Sequence, residues 1–190
     1  GPTTLRKGIE YSRNLMTVRI AKNLGLDKIL KLSKELNIYE EIPELLSVSL
    51  GSAETTLINL TSAYAPFVNG GKKINSNLIS RIQDRRGKTI YQKTNRKCLG
   101  CDKFINNDDI SELPKIKNTA KKVISEETAY QMTSILQGTV ERGTAKKLKN
   151  FKVPLAGKTG TTNDNYDAWF IGFSSNLIIG VYVGYDSPKT

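Results

Sequence analysis

Apolar positions along this chain change their spacing three times, and each change marks a switch between helix and strand. Between residues 3 and 69 they recur with helical period. Thr3 or Thr4 can cap a first helix that runs to about Tyr11, and a second covers Leu15 to Leu24 and stops at Gly25. A third, from about Asp27 to Leu36, keeps Ile29, Leu30 and Leu36 on one period. The fourth, from about Thr56 to Asn69, places Leu57, Leu60, Tyr64, Phe67 and Val68 on one face and ends at Gly70-Gly71. Pro66 lies within it and lacks an N–H, so the last turn should kink or shorten.

The period then shortens to that of strands. Leu78 to Ile82 and Lys88 to Tyr91 flank Asp84-Arg85-Arg86-Gly87, which predicts a hairpin. Residues 95–122 are polar and irregular and read as a loop excursion holding both cysteines and Pro114. Ser125, followed by Glu126 and Glu127, caps a further helix expected to bury Ala129, Met132, Ile135, Leu136 and Val140 before Gly143. An apolar approach through Phe151, Val153 and Leu155 leads into Lys158-Thr159-Gly160-Thr161. A polar turn, Thr162 to Tyr166, precedes Ala168 to Phe173, and Ser174-Ser175-Asn176 turns into a last run, Leu177 to Tyr185. These are three consecutive hairpin-linked strands. Helices followed by antiparallel strands make an α+β domain.

Size and charge narrow the picture only a little. At 190 residues, 38% hydrophobic and 25% charged, the chain can hold a real core, as one domain or a large piece of a bigger one. No apolar run reaches the ~20 residues of a membrane span. The net charge is +11, with basic clusters at Arg81, Arg85, Arg86 and Lys88, at Lys121-Lys122, and at Lys146, Lys147 and Lys149. No aromatic residues interleave with them as stacking platforms would, so they read as solvated surface and no nucleic acid is expected. Cys98-Leu99-Gly100-Cys101 is the sole cysteine pair. Two thiols cannot fill a tetrahedral zinc site in a chain with no histidine, which leaves a local disulfide or two free thiols. No metal and no cofactor is called for.

Gly157-Lys158-Thr159 is not a phosphate loop, because Lys152 stands where that motif needs glycine and no helix follows. A Lys-Thr-Gly strand can instead border a serine active site, with hydroxyls and a cation to hold a carboxylate and a backbone N–H at Thr161 to meet an oxyanion. Without histidine, lysine is the obvious base. Ser12-Arg13-Asn14 lies between two predicted helices, where hydroxyl and amide can both face a cleft, although taken alone Ser12 reads by default as an ordinary helix cap. The same Ser-x-Asn pattern at Ser174-Ser175-Asn176 falls in a turn and is structural.

Taken together the strings resemble the transpeptidase domain of class A penicillin-binding proteins. The resemblance runs through Ser12 to Val18, Ser49-Leu50-Gly51 with Glu54, Ala63-Tyr64 with Phe67, and Asn69-Gly70-Gly71. It continues through Gln83 to Gly87, Gly143-Thr144, Gly157 to Thr162 and Asp167 to Gly172. It implies a penicillin-binding, serine β-lactamase-like transpeptidase fold and a serine acyl transfer that cross-links D-alanyl-D-alanine stem peptides of peptidoglycan, with β-lactams as trapping substrates. It also implies that Ser12 shuttles a proton to the leaving group and Asn14 hydrogen-bonds the peptide. Lys158 would support that network electrostatically, Thr159 and Thr161 would hold the terminal carboxylate, and Gly160 would let substrate approach.

One departure matters: no serine in the chain has lysine three residues on, so the family's Ser-x-x-Lys nucleophile is missing. The expectation is a partial domain over residues 1–190: a helical region over 1–71, a hairpin over 72–94, a loop over 95–122, and a helix with the Lys-Thr-Gly strands over 123–190. Such a piece would begin after the nucleophile and be inactive alone. Its parent would be held at the periplasmic face of the bacterial inner membrane by upstream segments, and the isolated piece would self-associate through exposed sheet edge. The alternatives are a non-catalytic penicillin sensor or scaffold and a serine β-lactamase.

Overall fold

Side-chain caps open the helices where the sequence places them. Thr4 accepts the Lys7 N–H and starts α1 (Leu5–Glu10). After a tight corner, α2 (Asn14–Leu24) runs to Gly25, whose φ of +96° turns the chain into α3 (Leu26–Glu35). Thr56 accepts the Asn59 N–H and starts α4 (Leu57–Ala63). The single fourth helix expected from periodicity is in fact two, because Pro66 lies in the first turn of a separate α5 (Ala65–Val68), where its missing N–H costs nothing.

The computed structural model describes residues 1–94, 96–101, 113–162 and 166–185, and it groups the chain into two units, residues 75–121 and the remainder on either side. In the smaller unit, β1 (Arg81–Gln83) pairs antiparallel with β2 (Thr89–Gln92) around a turn in which the Asp84 carboxylate accepts the Arg86 and Lys88 N–H groups. The stretch expected to be irregular loop contains a second ladder, β3 (Arg96–Leu99) against β4 (Lys115–Asn118). All eight of those strand residues are exposed, so no hydrophobic alternation announced them. Cys98 and Cys101 are disulfide-bonded, which excludes the free-thiol reading. The centre of that stretch and the turn at residues 163–165 lie outside the described residues.

In the larger unit, α6 (Glu126–Glu141) starts at Ser125, which accepts the Thr128 N–H, and packs across an antiparallel sheet. The sheet is β5 (Ala156–Thr161), β6 (Ala168–Phe173) and β7 (Ile178–Val183), in that spatial order. The strand begins later than the apolar approach suggested: Phe151 and Val153 are exposed and precede it. Ile135, Leu136 and Val140 of α6 are buried, whereas Met132 is only half-buried. Leu136, Ala156 and Phe173 form the centre of the core, with Ile9, Tyr64, Phe67, Val68 and Ile178 packed around it. Burial lifts the Tyr64 hydroxyl to a pKa of about 12.

Alternation along the strands separates two faces. One carries Ala156 and Lys158 of β5 beside Phe173 and Ile171 of β6 and is covered by helices. The other carries Thr159, Thr161 and Phe170 with Ile179, Val181 and Val183 of β7, the last three 45–65% exposed. The expected turn at Ser174 to Asn176 is present, closed by the Ser174 N–H on Leu177 O and by the Ser174 hydroxyl on Asn176.

One buried group in α6 yields a test. Thr139 is fully buried and, among the described residues, its hydroxyl has no hydrogen-bond partner. Such a group costs about 1–3 kcal/mol of desolvation. Thr139→Val keeps the shape and removes the hydroxyl, so it should raise the urea midpoint with the m-value unchanged.

Candidate active site

Ser12 owes its position to the way α1 ends. The Arg13 N–H donates to Gly8 O at 2.8 Å and the Ser12 N–H to Ile9 O at 3.1 Å, the paired closing bonds of a Schellman turn. Ser12 occupies the left-handed position of that turn with φ +52°. Glycine is the usual occupant, since a Cβ there meets the following carbonyl. Ser12 is therefore not the cap of α2; that place falls to Arg13, whose side chain makes no capping bond. The hydroxyl is left free for long-range work.

That work is a contact with Lys158, 146 residues away. Lys158 Nζ donates to Ser12 Oγ at 2.8 Å and to Thr159 O at 2.7 Å. An ammonium group carries only donors, so Ser12 Oγ accepts from it and the Ser12 O–H is aimed elsewhere. Burial lowers the Lys158 pKa. Asn14, the first residue of α2, is exposed two positions on; among the described residues no hydrogen bond joins its side chain to Ser12 or Lys158.

A second set of contacts locks the Ser12 turn to β5. The Glu10 carboxylate, 1% exposed, accepts Arg142 Nε at 3.0 Å and Nη2 at 2.5 Å, with Arg6 at 3.7 Å. The Glu10 backbone carbonyl accepts the Thr144 N–H at 3.2 Å, and the Thr144 hydroxyl lies 2.6 Å from that of Thr159. The loop of contacts thus returns to β5 one residue beyond Lys158. It closes only because Gly138 and Gly143 leave room: a Cβ on either would come within 2.3 Å of Glu10 atoms.

The backbone of β5 adds donors. Thr162 N–H donates to Asp167 O at 3.1 Å, which makes that pair hydrogen-bonded across the ladder. Ladder bonds alternate, so Thr161 and Thr159 turn their N–H and C=O groups away from β6, as the Thr159 carbonyl on Lys158 Nζ confirms. The Thr161 N–H therefore lies on the unpaired side of β5. Lys158 sits on the helix-covered face and the threonines on the other, so these groups meet around the free edge of the strand rather than on one face.

The sequence reading expects Ser12, Asn14 and Lys158 in one groove; the structure places Lys158 Nζ 2.8 Å from Ser12 Oγ, and the buried Glu10–Arg142 pair beside them is not signalled in the sequence. A carboxylate four residues after Arg6 looks like an ordinary exposed helix pair. In the sequence Thr144 stands out only through the Gly143-Thr144 string of the family resemblance.

The chain matches the family described as "Penicillin binding protein transpeptidase domain" over residues 1–189. It is 44% identical over 189 residues to penicillin-binding protein 1A of Rickettsia conorii, covering 100% of this chain and 24% of that protein. To penicillin-binding protein 1A of Pseudomonas aeruginosa it is 32% identical, covering 100% of this chain and 27% of the relative. The crystal structure of penicillin-binding protein 1A from Haemophilus influenzae superposes with a TM-score of 0.79 at 27% identity, over 100% of this chain and 31% of that one. The chain thus spans about a quarter of the length of the curated relatives it matches.

Two outcomes test the geometry without any assay of activity. Ser12→Gly and Ser12→Ala both lose the acceptor for Lys158, but only glycine relieves the left-handed backbone, worth about 1–2 kcal/mol against about 0.4–1 kcal/mol of unfolded-chain entropy, so denaturant unfolding should find Ser12→Gly slightly more stable than Ser12→Ala. For Lys158, both folded and unfolded states are charged at low pH, and the folded state bears the burial penalty. As pH rises the folded chain loses its proton first, and the unfolded one follows near 10.5. Stability relative to Lys158→Met should therefore rise as pH climbs through the lowered pKa towards 10.5, as read by unfolding curves across that range.

Proposed function

The chain belongs to the penicillin-binding protein transpeptidase domain family, in its class A branch, and on that premise we propose that it forms one wall of a peptidoglycan D,D-transpeptidase cleft. The observation that carries this reading is the 2.8 Å contact between Ser12 and Lys158 beside an unpaired Thr161 N–H.

Acyl transfer at a peptide carbonyl needs a nucleophile, a proton for the leaving amine and donors for the oxyanion. The sequence contains no Ser-x-x-Lys, so the attacking serine is supplied by a segment outside these residues. Ser12, whose oxygen is occupied by Lys158, directs its O–H into the cleft and passes a proton to the departing D-alanine nitrogen. Ser12 takes up in return the proton that the attacking hydroxyl releases as it forms the ester, and Lys158, in a chain with no histidine, supports this relay with its positive charge. The Thr161 N–H meets the oxyanion, Asn14 binds the peptide amide, and Thr159 and Thr161 receive the terminal carboxylate, with Thr144 orienting the first of them. Gly160 keeps the strand edge open to an extended stem peptide or a β-lactam.

The parent acts at the periplasmic face of the bacterial inner membrane, held there by upstream segments. Among the described residues no helix is long and apolar enough to cross a membrane. The exposed Ile179, Val181 and Val183 support self-association of the isolated chain.

A fluorescent penicillin separates the readings. The 190-residue chain alone should take no covalent label, whereas the full-length protein should be labelled stably. Thr161→Pro, which deletes the edge N–H, should slow that labelling about 10²–10³-fold. Rapid turnover of the labelled ester would instead identify a β-lactamase, and an unlabelled full-length protein a scaffold or sensor.

A further inference from the structure

We infer that Glu10 is a positioning residue for acyl transfer: its buried carboxylate, clamped by Arg142, sets the Ser12 turn at the reach of Lys158. The inference rests on the transpeptidase reading of the Ser12–Lys158 pair. Glu10 lies two residues before Ser12, inside the turn that ends α1, and is 1% exposed. A carboxylate so buried is stable only with its charge answered, and Arg142 answers it through two bonds of a planar fork. That fork fixes the rotation of the last turn of α1 relative to the end of α6. The Glu10 carbonyl holds the Thr144 N–H, and Thr144 holds Thr159, so one residue grips both the serine turn and the lysine strand.

The two grips act on opposite sides of the reacting contact. Loosening the Glu10 carboxylate swings Ser12, held in its left-handed turn, away from Nζ, while Thr144 keeps its bond to the Glu10 backbone carbonyl. Arg6 reinforces the placement by donating to Ser134 O and Oγ at 3.0 and 3.2 Å, which ties α1 to the middle of α6. A side chain that only stabilised the fold would need no such connection to both partners.

A double-mutant cycle on the full-length protein distinguishes the two roles, with the acylation rate constant for fluorescent penicillin measured apart from the non-covalent binding step. Glu10→Gln should slow acylation about ten- to a hundredfold through misplacement of Ser12, with initial binding changed less than about twofold. On a Ser12→Ala background the same substitution should have little further effect, because its route runs through the missing hydroxyl. Additive losses in the cycle, or unchanged acylation in folded Glu10→Gln, would overturn the inference while leaving the site reading intact. Should Ser12→Ala itself be acylated at the wild-type rate, the transpeptidase reading fails and takes this inference with it. Arg142→Lys, which keeps the charge but loses the fork, runs the same cycle if Glu10→Gln does not fold.

Discussion

A carboxylate withdrawn from water must be met by a cation and by hydrogen bonds, and at Glu10 that requirement organises the larger unit. Arg142 can reach the carboxylate only from the end of α6, and the two glycines around it admit no side chain. Three elements distant in sequence are thereby brought to one point: the close of α1, the close of α6, and the strand that carries Lys158. Removing the guanidinium would leave the buried Glu10 carboxylate without its counter-charge, so the placement of the pair is strongly held.

The same region contains a local conflict between folding and chemistry. A Schellman turn wants glycine in its left-handed position, yet the chain places serine there. The hydroxyl gains a position that no regular helix residue would have, projecting from the corner towards β5. Local strain of about 1–3 kcal/mol is of the kind that surrounding contacts sustain where a side chain has work to do. Lys158 shows the matching compromise, since burial disfavours its charge while Ser12 and the Thr159 carbonyl accept its protons.

The sheet divides its labour between faces and edges. Its helix-covered face is core, its other face leaves Ile179, Val181 and Val183 in solvent, and the outward side of β5 offers unpaired backbone donors and acceptors. An extended peptide laid along that edge would meet a strand's hydrogen-bonding pattern together with a lysine and two threonines. This explains why Lys-Thr-Gly-Thr can serve two faces at once: the groups converge around an edge, where a pleat no longer separates them.

Much of this was legible in the residues alone. Thr4, Thr56 and Ser125 announced their helices through local capping bonds, Pro66 announced its break, and the three final strands followed from alternation. All are interactions between near neighbours in the chain. The β3–β4 ladder was invisible because two exposed polar strands bury nothing and so leave no pattern. The Ser12–Lys158 proximity was inferable from the strings' kinship, but no spacing encodes it. Composition and local pattern by themselves determined the α+β class, the order of the elements other than the β3–β4 ladder, and the candidate chemistry. Tertiary structure alone decided that Glu10 is buried against Arg142 and that Thr161 faces an open edge, because both depend on which distant surfaces meet.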